Sequence, residues 1–113
     1  MIVGIGVDIV KISRVKIELA NRILSEEEYI DFNNFKKESR KQEYLAGRFS
    51  VKEAVIKAIG NTKYKIGMRD ITILNNETGM PILNKPTYND IKIFISISHE
   101  TDSCVGLCVI ENV

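Results

Sequence analysis

The chain has no tryptophan, two prolines, two cysteines and a single histidine in 113 residues. Cys104 and Cys108 stand four apart in a strand-like run, too far along a straight strand to bridge. With one histidine for company they form neither a disulfide framework nor a zinc site, so reduced thiols and a cytoplasmic setting are expected. A charge excess of either sign is also missing. Sixteen lysines and arginines face fifteen acids, a net charge of +1, which gives no support to a nucleic-acid partner. No apolar run reaches the roughly 18 residues that span a bilayer. The opening "MIVGIGVDIV" has no basic leader before it, so neither a membrane segment nor a targeting peptide is expected. Repeats, low-complexity tracts and Gly/Ser linkers are absent too, which leaves a single domain over 1–113.

What is present is ordinary globular material, 44% hydrophobic and 27% charged, enough for one core but not two. Met1 to Val10 alternates as a strand, with Val3, Ile5 and Val7 on one face and Gly4, Gly6 and Asp8 on the other. The glycines leave room beside Asp8 for a ligand or for another backbone. Ile12, Val15, Leu19 and Ile23 recur at helical spacing and predict an amphipathic helix over 11–24 with a basic exposed side. Ser25 and Glu28 form a capping box for a second helix reaching about Phe35, and a long third helix is expected from near Arg40 to a glycine cap at Gly60. Strands are then expected at 70–74 and 80–83 around the turn "NNETG", and at 93–98 and 104–110 as an antiparallel hairpin around "HETDS". This order makes an α+β fold, with helices packed on one face of a largely antiparallel sheet.

The long helix carries an oddity in "GRFSVKEAVIKAIG". Wound at about 100° per residue, Leu45, Phe49, Val55, Ile56 and Ile59 share an arc that also contains Arg48 and Lys52. Glu53 and Lys57, four apart, meet on the flank next to small Ala46 and Ser50. Two explanations are open. Either the long stems snorkel and the flank holds a surface ion pair, or the flank lines a site for an anionic ligand with Glu53 holding a cation. Asp8 is similarly open between a strand-end turn and a site carboxylate. His99, closing "SISIS" on the face of Ile95 and Ile97, is open between structure and chemistry.

Together "GIGVDIVKISR", "LAGRFSVKEAVIKAIG" and "SISHE", in this order over essentially the whole chain, resemble the holo-acyl-carrier-protein synthases, the small bacterial branch of the 4′-phosphopantetheinyl transferases. The resemblance implies the small single-domain form of that fold. It also implies transfer of the 4′-phosphopantetheine of coenzyme A to a serine of apo acyl carrier protein, in fatty acid biosynthesis, with release of adenosine 3′,5′-bisphosphate. Magnesium would be held by Asp8 and Glu53, with Arg48, Lys57 and His99 around the coenzyme. Glu53, Lys57 and His99 make up the implied catalytic group, and the general base stays open between Glu53 acting directly and a route through a metal-bound water. Lys52 fits the motif on the coenzyme side, and Arg40 and Lys41 are candidate 3′-phosphate contacts. An acidic carrier protein would dock on Arg14 and Arg22, and a homotrimer would form its sites between neighbouring subunits.

Three departures stand out. Gly60-Asn61-Thr62 replaces the family's usual Gly-Thr-Gly, Gly79-Met80-Pro81 replaces Gly-Lys-Pro, and the segment between Asp8 and Ser25 is shorter than in many relatives. Both carboxylates and the basic cluster are kept, so these changes are expected to affect affinity and partner choice rather than the reaction. The alternative on the same fold is a non-catalytic module that binds carrier protein or nucleotide. An unrelated magnesium phosphohydrolase would need more carboxylates than the chain offers.

Overall fold

The structure, a computed structural model, describes all 113 residues, Met1–Val113. Its elements run β1 (Ile2–Lys11), α1 (Ala20–Ile23), α2 (Glu26–Asn34), α3 (Glu38–Ile59), β2 (Thr72–Asn75), β3 (Pro81–Lys85), β4 (Ile91–His99) and β5 (Ser103–Asn112). Strands β1, β5 and β4 form an antiparallel sheet in that order, while β2 and β3 pair as a separate hairpin. The α+β arrangement is the expected one, except that the later strands divide between two sheets.

Helix α3 lies along one face of the larger sheet, and glycines set how closely. A Cβ at Gly6 would run into the main-chain carbonyl of Ala54, and one at Gly106 of β5 into the backbone at Val51. The space beside Asp8 is therefore filled by a backbone rather than kept for a ligand. Two apolar clusters share α3. Val51, Val55 and Ile59 pack with Ile71, Ile73 and Ile110 between helix and sheets, whereas Leu45 and Ala46 pack with Ile12, Val15, Ile23 and Phe32 nearer its start. Burying each of these side chains larger than alanine contributes about 1.5–3 kcal/mol, and this seats the helix firmly.

Residues 12–24 do not form the single helix that their spacing predicts. Two 3-10 turns, Ile12–Arg14 and Ile17–Leu19, and the one-turn α1 stand in its place. Val15 and Lys16 are extended between the turns, and the Val15 carbonyl accepts a hydrogen bond from Gln42 Nε2 at 3.1 Å instead of from a helical partner. Ile12, Val15 and Ile23 all reach the core along this bent path, while Leu19 stays exposed and Ala20 takes the buried place.

At its far end α3 stops at Gly60 with φ −60°, a right-handed conformation, so the expected left-handed glycine cap is not used. The Thr62 hydroxyl closes the turn by donating to the Ile59 carbonyl at 2.7 Å. Strand β2 starts later than expected because 68–70 forms a 3-10 turn, with Asp70 Oδ2 accepting from the Gly67 N–H at 2.9 Å.

Candidate active site

The residues singled out in the sequence separate into two groups on opposite flanks of α3. Asp8 lies on edge strand β1 and pairs across Gly106 with Ile97; His99 closes the opposite edge strand β4 and pairs with Cys104. Two strand spacings, about 10 Å, separate the edges, and α3 runs between them.

On the β1 flank, Lys57 Nζ lies 3.2 Å from Asp8 Oδ1 and 3.1 Å from the Val7 carbonyl. Lys57 therefore pairs with Asp8, not with Glu53 as the spacing suggested. Glu53, half-buried, precedes Lys57 by one turn on the same helix edge. Nowhere do three metal-ligating side chains gather, so this flank offers a cation two carboxylates at most. Such a donor set fits magnesium, which takes one or two carboxylates and completes its octahedron with substrate oxygens and water. It does not fit zinc, which wants a fuller protein cage with nitrogen or sulfur ligands.

On the β4 flank a cleft of about 250 Å³ is lined by Arg40, Glu43, Tyr44, Arg48, Asn75 and His99 among others. Arg48 is buried, and its guanidinium is held on three sides. Nε and Nη2 donate to the Ile73 carbonyl at 3.2 and 2.9 Å, Nη2 also reaches Asn75 Oδ1 at 3.2 Å, and Cζ lies 4.4 Å from the centre of the Tyr44 ring. Nη1 has no partner in the chain, and since no buried nitrogen or oxygen is left unsatisfied, it must reach solvent. Burial pushes the Tyr44 hydroxyl up to about 12, so the ring carries no charge of its own near neutrality.

Arg40 belongs to this cleft, 3.8 Å from Glu43 and 5.4 Å from the Phe35 ring centre, whereas Lys41 is turned over Phe32 and lines a different groove. Sequence reasoning missed Tyr44 and Asn75. Tyr44 precedes Arg48 by four residues, a spacing that could have flagged the stack; nothing in the sequence points to Asn75.

Lys52, expected among the coenzyme contacts, is instead a structural residue. Its side chain is 0% exposed, and its ammonium donates to the Ile23 carbonyl at 2.7 Å, to Glu28 Oε1 at 2.5 Å and to the Met68 carbonyl at 3.1 Å. All three N–H bonds are spent inside the protein, so none is left for a ligand. Burial pulls its pKa below the usual lysine value while Glu28 pulls it back up. Arg14 and Arg22, by contrast, are exposed and join no ion pair.

The sequence and the fold have counterparts among known proteins. The sequence profile of the 4′-phosphopantetheinyl transferase superfamily matches residues 4–108. The chain is 39% identical to the holo-[acyl-carrier-protein] synthase of Oceanobacillus iheyensis, with 98% of each chain covered. It is 42% identical to that of Staphylococcus aureus, over 98% of this chain and 97% of the relative. Its fold matches the crystal structure of a holo-(acyl-carrier-protein) synthase from Bacillus anthracis in complex with CoA (3′,5′-ADP) with a TM-score of 0.87. That match has 38% identity over 100% of this chain and 99% of the other. By sequence, fold and the residues gathered along α3, the chain belongs to the 4′-phosphopantetheinyl transferase superfamily, in its holo-[acyl-carrier-protein] synthase branch.

Proposed function

We propose that the chain transfers the 4′-phosphopantetheine arm of coenzyme A to a serine of apo acyl carrier protein, giving holo carrier protein and adenosine 3′,5′-bisphosphate for fatty acid biosynthesis. The observation that carries this reading is the Asp8–Lys57 pair, with Glu53 one turn back on the same helix edge, matched on the other side of α3 by a cleft holding a preset arginine and a histidine. In the reaction the serine oxygen bonds to the phosphorus that bears pantetheine. The bridging P–O bond to the nucleotide breaks, and the serine proton passes to a base.

Asp8 and Glu53 would hold magnesium, which when bound neutralises charge on the pyrophosphate oxygens. Lys57 brings a cation to the same flank and supports the phosphate that leaves. It is 53% exposed and so is free to shift from Asp8 toward a ligand. Arg48, through Nη1, and His99 take phosphate oxygens in the cleft, and Arg40 at its rim takes the 3′-phosphate. Glu53 receives the serine proton, directly or through a water. Arg14 and Arg22 steer the acidic carrier protein onto the surface beside the site.

The working assembly is a homotrimer with sites between copies, and two observations support it. The outer face of the larger sheet has no helix over it, and Ile5, Val7 and Ile9 are 65%, 57% and 70% exposed there, in register with Leu107 and Phe94 on β5 and β4. Monomers rarely leave so continuous an apolar face open. The carboxylate flank and the cleft also open away from each other, so the full residue set meets only when the flank of one copy faces the cleft of the next. No helix is long and apolar enough to cross a membrane, and Cys104 and Cys108 are free and buried, in keeping with a reducing, cytoplasmic compartment.

The test is the intact mass of a bacterial apo acyl carrier protein incubated with the protein, coenzyme A and magnesium, beside a sample with chelator. A gain of one phosphopantetheine, lost with chelator, is expected. No gain under conditions where coenzyme A still binds would favour the non-catalytic module instead.

A further inference from the structure

Glu28 and Lys52 form the one ion pair of this chain that solvent does not reach, both side chains being 0% exposed. The site described above uses neither charge. Apolar residues of similar volume hold a core together as well as a buried pair does, so the bonds this pair makes possible are what distinguish it.

Glu28 Oε1 accepts from Lys52 Nζ and from the Ser25 N–H at 2.9 Å, and Oε2 accepts from the Ile73 N–H at 2.8 Å. The carbonyl of that same Ile73 receives Nε and Nη2 of Arg48. The main-chain carbonyl of Glu28 accepts from the Tyr44 hydroxyl at 3.3 Å, and the Tyr44 ring lies against the Arg48 guanidinium. Both main supports of Arg48 thus lead back to Glu28, one through strand β2 and one through Tyr44.

We propose that Glu28 is a positioning residue: its carboxylate fixes Ile73 and its main-chain carbonyl holds Tyr44, so that Arg48 presents its Nη1 edge, already ordered, to a phosphate in the cleft. Three of the five guanidinium N–H bonds go to Ile73 and Asn75, which leaves the two on Nη1 for an anion. An arginine ordered beforehand loses little side-chain freedom when its ligand arrives. This role rests on the cleft being the coenzyme A site.

Two double variants separate positioning from plain cohesion. Glu28→Gln with Lys52→Met and Glu28→Leu with Lys52→Met both remove the ion pair without stranding a buried charge. Only the glutamine keeps an acceptor for the Ile73 N–H. Thermal melts report cohesion, calorimetric titration with adenosine 3′,5′-bisphosphate reports the cleft, and KM for coenzyme A against kcat reports the reaction. The glutamine variant is expected to bind like the wild type. The leucine variant is expected to bind about tenfold more weakly, the effect of one lost orienting hydrogen bond, with KM raised alike and kcat nearly unchanged.

Equal affinity in both double variants and the wild type overturns the role, whatever the melts show. Should the leucine variant not fold, Tyr44→Phe removes the hydroxyl that bonds the Glu28 carbonyl and lies beside the Arg48 guanidinium, while keeping the ring. It is expected to weaken binding about threefold with only a small fall in melting temperature, and unchanged binding overturns the role as well. A wild-type protein that binds neither coenzyme A nor adenosine 3′,5′-bisphosphate would instead overturn the coenzyme reading of the cleft, and this role with it.

Discussion

Cys104 and Cys108 lie in the two halves of the core, and burial pushes their thiols up to about 11 and about 12. A thiol whose folded pKa stands above the ordinary 9.0 stabilises fully below pH 9. That contribution is lost as the pH climbs toward 11–12, because the unfolded chain releases its thiol protons first. The folded protein is therefore expected to resist a thiol reagent at pH 8, to react once urea unfolds it, and to show a falling urea midpoint above pH 9. Prompt reaction of both thiols at pH 8 without urea would contradict their burial. The cysteines' lack of a bridge was legible from a strand-like run, whereas their burial comes from the packing of α3 on β5. The fates of Arg48 and Lys52 were only half so. Their place inside the apolar arc of α3 follows from helical spacing, but their partners come from residues 23, 28, 68, 73 and 75, brought in by tertiary folding that no local pattern encodes.

At the scale of elements, β1 and α3 are locked by the absence of a side chain. A methyl at Gly6 would meet the Ala54 carbonyl, a backbone group that cannot swing aside. Gly6→Ala is therefore expected to destabilise by about 3 kcal/mol or more in urea unfolding and to weaken activity by displacing Asp8 two residues on. A variant as stable and active as the wild type would mean that strand and helix are not held this closely. Elements with their own punctuation were readable. The Ser25–Glu28 box starts α2 where expected, α3 ends at Ile59 just before Gly60, and the last two strands form the expected hairpin. Segment 12–24 was misread because three apolar anchors at helical spacing also suit a chain that bends between short turns. The helix signal there rested on periodicity alone, with no capping residue to mark an end.

At the scale of the whole molecule, the two residue groups of the proposed site lie on opposite flanks of α3. A linear sequence lists Asp8, Glu53, Lys57, Arg48 and His99 as one set. Only the strand order β1-β5-β4, with α3 lying across it, reveals that the first three face away from the last two. The apolar outer face of the same sheet is left uncovered. The proposed assembly requires sites shared between subunits, and mixing two inactive variants asks for this directly. Glu53→Gln disables the carboxylate flank and Arg48→Ala disables the cleft, each expected to abolish most phosphopantetheine transfer when alone. Unfolded together and refolded as mixed rings, they should regain activity. Roughly one site in four should then pair an intact flank from one copy with an intact cleft from its neighbour. Mixed assemblies that form but stay as inactive as either variant would contradict sites built from two copies.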